Sequence, residues 1–373
     1  MIEPRTRFDT EMMAIALRMA RRGLGTTAPN PSVGAVIADE ATGEVIARGW
    51  TQPGGRPHAE KEALRRAGER ARGRTMYVTL EPCAHTGRVP TCSDSMVGAG
   101  LNRVVCAIPD PNPIVSGRGF AQLRAAGIEV DVGRLAEDAR WVTLGHILRQ
   151  TEERPFVQLK MALDAGGRVA AGDGAPVWVT GAEARAFAHL LRARADAILV
   201  GSGTVIADDP ELTCRLPGLM HRSPDRIVLD TRLRTPPTAK VYRRSLSKPR
   251  SWVAAALDVM ATGAAHGDAM VLDAGAMDGG ALDLEGLLAT VAGNGMTRLL
   301  VEGGPTVWHA FLAAGLVDEV CLIQSPSRVD GATIPVVTGD HNVFFGHYNL
   351  LPVPKRSRAL GADRLLVYRR ESP

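Results

Sequence analysis

The sequence predicts an α/β protein built as two domains. Three observations carry that expectation: a length of 373 residues, an alternation of strand-like and helix-like segments in both halves, and a polar stretch between them. Chains beyond about 250–300 residues usually divide, because a single hydrophobic core stops growing near that size. The polar stretch is Gln150-Thr151-Glu152-Glu153-Arg154-Pro155. It ends in proline, so the expected domains are residues 1–150 and 151–373.

The first series opens with a helix. Met12, Met13, Ala16, Leu17 and Ala20 recur at helical spacing, with Asp9 as the expected N-cap and Phe8 stapling onto Met13. Val33–Ala38 and Glu44–Trp50 follow as strands joined by a turn at Glu40-Ala41-Thr42-Gly43. A helix is expected from His58 to Ala71, ending before Gly73. Strands at Thr75–Leu80, Arg103–Ile108 and Ile128–Val132 alternate with helical segments at Cys92–Gly98 and Phe120–Ala126. The second series runs through strand Phe156–Met161, helix Ala182–Ala195, and strands Ala197–Val200 and Arg226–Asp230. Helix Leu282–Ala292 and strand Arg298–Val301 come next, and the strand leads into Gly303-Gly304 and another helix. Ser325 to Lys355 is rich in Pro, Gly and polar residues and reads as loop with short strands. Such alternation implies sheets with helices packed on their faces.

Composition narrows the function. Residues 1–150 hold 20 Lys+Arg against 16 Asp+Glu, and the remainder holds 24 of each. Aromatic residues are only 4% of the chain. A basic groove interleaved with stacking aromatics is therefore not expected, which argues against a nucleic-acid substrate. Five cysteines, an odd number spread over a long chain, do not form a disulfide framework and fit a reducing compartment. The N-terminus lacks the order of a signal peptide, and no apolar run reaches the about 20 residues needed to span a bilayer. The expectation is a soluble cytoplasmic protein.

His58-Ala59-Glu60, followed by Pro82-Cys83 and Cys92, offers three metal ligands and one carboxylate beside them. A catalytic zinc takes three protein ligands and keeps a fourth position for water, which it makes acidic near neutrality. Glu60 is then the proton carrier between that water and a leaving amino group. A structural zinc would need a fourth ligand, and His85 is the nearest candidate. Three separate segments, in order and at strand or helix ends, favour the catalytic reading over unrelated residues. The His-x-Glu and Pro-Cys elements resemble the zinc deaminases of nucleobases. The cysteine spacing, however, is longer than their Pro-Cys-x-x-Cys.

Longer stretches make the resemblance specific. Ala28-Pro29-Asn30-Pro31-Ser32-Val33-Gly34, His58-Ala59-Glu60, the run from Glu81 to Cys92, Asp110-Pro111-Asn112-Pro113 and Gly117-Arg118-Gly119 resemble the RibD family of bifunctional riboflavin-biosynthesis enzymes. The long cysteine loop containing His85 and Arg88 is typical of that family. Leu159-Lys160-Met161-Ala162, Trp178-Val179-Thr180, Gly203-Thr204 to Pro210, Leu212-Thr213-Cys214-Arg215, Val228–Thr231 and Val301-Glu302-Gly303-Gly304 extend the likeness over almost the whole chain.

That resemblance implies an N-terminal cytidine-deaminase-like zinc domain followed by a C-terminal dihydrofolate-reductase-like domain that uses NADPH. It implies deamination of 2,5-diamino-6-(5-phosphoribosylamino)pyrimidin-4-one, then reduction of the ribosyl group of the product to ribityl. His58, Cys83 and Cys92 would hold zinc. Asn30, His85 and Arg88 would contact the pyrimidine substrate. Ala162, Trp178, Thr204, Asp208, Thr231, Gly304, Pro305 and Thr306 would line NADPH, and Pro176, Arg192, Leu212, Arg215 and Glu302 would face the phosphoribosyl substrate.

The residues alone support the second site less sharply: two glycine turns, Gly201–Thr204 and Gly303–Gly304, expose backbone N–H groups at helix starts, without a Gly-x-Gly-x-x-Gly fingerprint. Three departures from the family pattern stand out. Thr51 replaces a common His, Gly166 replaces an Asp that Asp164 could compensate, and Pro176 replaces a Ser. Two other readings stay open: a zinc deaminase whose C-terminal half only binds RNA or a partner, and a non-enzymatic zinc protein. A symmetric homodimer is the expected assembly.

Overall fold

The apolar spacing at the N-terminus becomes helix α1, Pro4–Gly23, whose Met12, Met13, Ala16, Leu17 and Ala20 are all buried. The computed structural model describes residues 4–84, 90–113, 115–170, 178–243, 249–255, 267–273, 283–330 and 332–371. Asp9 lies inside α1 and is not its N-cap. Its carboxylate instead accepts from Tyr77 Oη at 2.8 Å and from Arg103 Nη1 and Nη2 at 2.9 and 2.8 Å. The chain divides into two compact units, Met1–Glu153 and Arg154–Pro373.

In the first unit, strands β1 (Gly34–Ala38), β2 (Val45–Trp50), β3 (Thr75–Val78), β4 (Arg103–Cys106) and β5 (Glu129–Val132) form one sheet in the order β2-β1-β3-β4-β5. β1 is antiparallel to both neighbours, whereas β3, β4 and β5 run parallel. Helix α2, Ala59–Ala67, stops short of the expected Ala71, because Gly68 turns the chain with φ 55° into a 3-10 turn over Gly68–Ala71. Gly49 on β2 lets α2 approach the sheet: a Cβ there would fall 2.2 Å from the carbonyl oxygen of Ala59. α3 spans Cys92–Gly98 and α4 spans Arg118–Ala125.

No clear period is readable between Leu135 and Gln150, yet α5 fills Ala136–Thr151. Its buried residues include Thr143, Gly145 and His146, which mask an apolar stripe. The helix also carries the chain past residue 150, so the units divide between Glu153 and Arg154.

The second unit holds a nine-stranded sheet. Its strands are β6 (Phe156–Leu163), β8 (Ala197–Gly201), β9 (Asp225–Leu229), β10 (Ser251–Ala255), β11 (Met270–Asp273), β12 (Arg298–Gly303), β13 (Glu319–Gln324), β15 (Arg356–Leu360) and β16 (Asp363–Arg369). The order is β11-β10-β9-β8-β12-β6-β13-β16-β15. β7 (Arg168–Ala170) and β14 (Ala332–Pro335) pair separately.

Pairs from β11 to β13 are parallel, and β16 and β15 close one edge antiparallel. Both faces are covered, as a parallel sheet requires. Val320 and Leu322 of β13 join one apolar cluster, while Cys321 and Ile323 join the other. Helices α6 (Ala182–Arg192), α7 (Ser202–Asp208), α8 (Leu284–Gly293) and α9 (Pro305–Ala313) connect the strands. Within the stretch expected as loop and short strands, Asp340 caps a further helix, α10 (His341–Gly346).

The chain lays down β8 to β11 on one side of β6, then returns with β12 between β8 and β6. That reversal is a topological switch point, and open α/β sheets bind ligands there, beyond the carboxyl ends of the strands. No helix among the described residues is long and apolar enough to cross a membrane.

Candidate active sites

The first site is assembled where two helices begin and one strand has just ended. His58 is the N-cap residue of α2, but its side chain makes no capping bond, which leaves the ring available. Cys92 is the first residue of α3, held there by a capping box between Thr91 and Asp94. Cys83 lies beyond β3, which ends at Val78, and is tied to α3 twice: its carbonyl accepts from Ser93 N at 3.3 Å and from Ser93 Oγ at 3.2 Å.

The ligand atoms of His58, Cys83 and Cys92 all lie within 4.8 Å of one another. His58 Nδ1 is 3.3 Å from Cys92 Sγ and 3.7 Å from Cys83 Sγ. Zinc bonds of about 2.0 Å to nitrogen and 2.3 Å to sulfur, at a tetrahedral angle, place N and S about 3.5 Å apart. The donor set therefore fits zinc.

Charge follows the same logic. Hydrogen bonding from Cys92 and His58 holds the Cys83 thiol down at about 4, ready as a thiolate. Cys83 and burial push Cys92 up instead, as expected of two thiols competing for one proton. Glu60 is buried, and its Oε2 has no hydrogen-bond partner. Burial pushes its carboxyl up, against the opposing pull of His58. An unsatisfied buried carboxylate oxygen beside three metal donors is what a proton carrier needs and what a structural side chain avoids.

Asn30 and Thr51 hold the approach to α2. Asn30 Nδ2 donates to Gly55 O at 3.2 Å, and a Cβ on Gly55 would collide with that amide. Thr51 is buried, and its Oγ1 accepts from Val33 N at 3.0 Å. This bond ties the segment leading to His58 to the residue just before β1. His85 and Arg88 lie outside the described residues.

Sequence reasoning missed Glu81. Its buried carboxylate gathers four backbone donors: Gly119 N at 3.0 Å and Phe120 N at 3.4 Å on Oε1, Gly117 N at 3.0 Å and Asp110 N at 3.2 Å on Oε2. One side chain, two residues before Cys83, thereby fixes backbone from Asp110 to Phe120 against the metal cysteine. Glu81 stands at the head of the cysteine loop, but backbone N–H partners leave no mark in a sequence.

The second site gathers at the switch point. Glu302, near the end of β12, is part-buried in a two-pronged ion pair with Arg192 of α6: Nε to Oε1 at 2.7 Å and Nη2 to Oε2 at 2.8 Å. Arg192 Nη1 also donates to Thr213 O at 3.0 Å. The arginine expected as a phosphate partner is thereby engaged with protein groups. Burial would push the Glu302 carboxyl up, but Arg192, Lys160 and His189 hold it down at about 2. Lys160, on β6 beside β12, carried no role from the sequence; burial lowers its ammonium and Glu302 opposes that shift.

His189 Nδ1 accepts from Arg215 N at 3.3 Å, which places exposed Arg215 next to this cluster. Leu212 is buried with φ 56°, a left-handed conformation that costs a non-glycine residue roughly 1–3 kcal/mol and persists where the surroundings enforce it.

Several of the expected cofactor residues follow the carboxyl ends of β8, β9 and β12. Thr204 Oγ1 lies where Cβ atoms on Gly303 and Gly304 would come within 3.1 and 3.3 Å, and Gly304 takes φ 86°. The glycine pair keeps backbone open between the ends of β8 and β12, a cradle suited to a dinucleotide. Pro305 starts α9, and Thr306 is exposed on it. Thr231 follows β9, Asp208 ends α7 with its carboxyl pushed up by burial, and Ala162 is on β6. Trp178 is 65% exposed, with the Arg185 guanidinium 4.8 Å over its ring. Pro176 lies outside the described residues. Asp164 does not stand in for the missing Asp at 166: its Oδ1 accepts from Gly166 N at 2.7 Å and Arg168 N at 2.9 Å, so it closes the turn.

Comparison with known proteins agrees with this geometry. The family model "Cytidine and deoxycytidylate deaminase zinc-binding region" matches residues 6–108, and "RibD C-terminal domain" matches residues 155–347. The riboflavin biosynthesis protein RibD of Aquifex aeolicus is 38% identical over 97% of this chain and 98% of its own. That of Escherichia coli is 39% identical over 85% of this chain and 88% of its own. A solved Acinetobacter baumannii RibD superposes with a TM-score of 0.81 at 34% identity, covering 98% of this chain and 99% of the other. A diaminohydroxyphosphoribosylaminopyrimidine deaminase/5-amino-6-(5-phosphoribosylamino)uracil reductase from Thermotoga maritima gives 0.81 at 30% identity, with the same coverage.

Proposed function

The chain belongs to the RibD family and is a bifunctional riboflavin-biosynthesis enzyme, and from that premise we propose which of its residues perform each reaction. The N-terminal unit is the cytidine-deaminase-like zinc domain and the C-terminal unit the dihydrofolate-reductase-like domain. The substrate of the first is 2,5-diamino-6-(5-phosphoribosylamino)pyrimidin-4-one. The second reduces the ribosyl group of 5-amino-6-(5-phosphoribosylamino)uracil to ribityl with NADPH.

In the first reaction His58, Cys83 and Cys92 hold zinc. When bound, zinc supplies a Lewis acid that makes water acidic near neutrality. Glu60 accepts a proton on Oε2 and delivers it to the departing amino nitrogen, which leaves as ammonia. Asn30, with its NH2 spent on Gly55, offers its carbonyl oxygen to the pyrimidine edge. His85 and Arg88, by resemblance, complete the contacts. The observation that carries the reading is the buried, unpartnered Glu60 Oε2 beside three converging metal donors.

In the second reaction NADPH supplies the hydride when bound along Ala162, Trp178, Thr204, Asp208, Thr231 and Gly304–Thr306. Glu302, held anionic by Arg192, accepts a hydrogen bond from the ribosyl hydroxyls. Leu212 and Arg215 line the substrate side, joined by Pro176 on the family resemblance alone, and Arg215 is the phosphate partner because its side chain is exposed while Arg192 is engaged. We further read the enzyme as a cytoplasmic homodimer acting on small molecules, with no nucleic-acid partner. Sedimentation velocity checks the dimer.

One experiment tests the whole. The purified protein is given the diaminopyrimidine phosphoriboside, and ammonia release is followed, then NADPH oxidation. Both should occur in that order. Ammonia without NADPH oxidation would remove the reductase roles and favour a C-terminal half that only binds RNA or a partner.

A further inference from the structure

Helix α5 buries two polar atoms that no role above explains. Thr143 Oγ1 and His146 Nδ1 are buried without a hydrogen-bond partner. The two residues stand three positions apart and so share one face of the helix. An unpaired buried polar atom is costly, so a ring placed there only to fill space would be apolar. His146 has a use for its other nitrogen: Nε2 is 3.3 Å from Oδ1 of Asp110, which is buried too.

Asp110 begins the loop that backs the metal cysteine. Its Oδ1 accepts from Asn112 N at 2.9 Å, and the Asn112 carbonyl accepts from Val115 N at 2.8 Å and Ser116 N at 2.9 Å. Asp110 N donates to Glu81 Oε2 at 3.2 Å, and Gly117 N donates to the same oxygen at 3.0 Å. The loop is thus gripped twice. Glu81 holds its backbone N–H groups, and His146 holds the carboxylate that folds its first turn. Its far end leaves no slack: a Cβ on Gly119 would fall 2.2 Å from the carbonyl oxygen of Pro82, the residue before Cys83. A shift of Asp110 is therefore passed to Glu81 and Pro82, and from them to Cys83.

The contact also selects the state of the ring. An ionised carboxylate only accepts, so the proton of neutral His146 sits on Nε2, and the bare Nδ1 is the atom left unpartnered. Resting on the zinc-deaminase reading, we infer that His146 is a positioning residue for deamination: through Asp110 and the loop bound by Glu81, it holds Cys83 in the geometry the metal requires. It acts through Asp110 and not on the reacting atoms.

The test compares two variants of the full zinc-loaded chain. His146→Phe keeps a flat ring and removes both nitrogens, whereas the amide nitrogen of His146→Gln can replace Nε2. In the Phe variant, hydrogen exchange of the peptide covering 108–122 should quicken about tenfold, the scale of one hydrogen bond to a charged group. Zinc should pass to a chelator faster, and the kcat for ammonia release should fall with KM nearly unchanged. The reductase activity of the same chain should stay at the wild-type level. His146→Gln should restore exchange, zinc retention and kcat towards wild type. A Phe variant that matches wild type in exchange and kcat overturns the assignment. So do equal losses in both variants, the mark of a packing role, and an effect confined to KM. If the Phe variant does not fold, nitrogen NMR of isotope-labelled histidines in the wild type decides, at about pH 8, above the ordinary histidine range. A proton on His146 Nε2 supports the assignment, and a bare Nε2 overturns it. A wild-type chain that releases no ammonia from the diaminopyrimidine phosphoriboside would instead overturn the deaminase reading and the catalytic part of this one; the exchange measurement judges the brace by itself.

Discussion

Replacing Glu81 by Gln isolates how the metal cysteine is held, because the change keeps the shape of the side chain and alters only what it can accept. Each carboxylate oxygen receives two backbone N–H groups at 3.0–3.4 Å. An amide NH2 must replace one oxygen, so two buried N–H groups then face donors. Leaving a buried donor unsatisfied costs about 1–3 kcal/mol, which gives about 2–6 kcal/mol for the pair. At 1.4 kcal/mol per decade, amides of residues 110–120 should exchange roughly 30- to 10⁴-fold faster. Hydrogen exchange resolved by mass spectrometry to the peptide covering 108–122 reads this directly. Deamination and zinc retention against a chelator should fall as Cys83 loses its anchor, while the reductase activity of the same chain serves as the internal control. Unchanged exchange in that peptide would refute the argument, as would equal losses in both activities.

The remaining predictions concern the two sites. Glu60→Gln should keep zinc, measured by metal analysis, yet slow ammonia release by about 10²–10⁴-fold, because the ligands persist and the proton carrier is lost; retained turnover would contradict the role. Arg215→Ala should raise the KM for the phosphoribosyl substrate about tenfold or more, with little change for NADPH; equal effects would remove Arg215 from the phosphate contact. The pH dependence of stability follows from Glu302. Its folded value of about 2 lies below the ordinary 4.5, so the stabilisation from Arg192 is fully present above pH 4.5 and is lost as pH falls towards 2. Melting temperature should therefore drop over that window in wild type and less steeply in Glu302→Gln; identical slopes would place the acid sensitivity elsewhere.

The two sites were legible in the sequence to different degrees, and for a physical reason. Zinc ligands come from helix starts and a strand end, where short local motifs set side-chain direction, so His58, Cys83 and Cys92 could be picked out before their distances were known. The same holds for strands such as Arg298–Gly303, whose apolar runs are bounded by glycine. What could not be read is whatever depends on partners distant in the chain. Arg192 has the chemistry of a phosphate hook, but Glu302, 110 positions away, occupies its fork. Asp164 has the chemistry of a substitute carboxylate, but the backbone of its own turn claims its oxygen. Asp9 has the chemistry of a helix cap, but Arg103 and Tyr77 draw it towards the sheet. In each case the residue type announced a charge or an acceptor, and only the fold decided which donor would reach it first. Buried polar groups must be paired. A sequence can therefore nominate such residues, but the neighbours that satisfy them decide between a ligand contact and a brace.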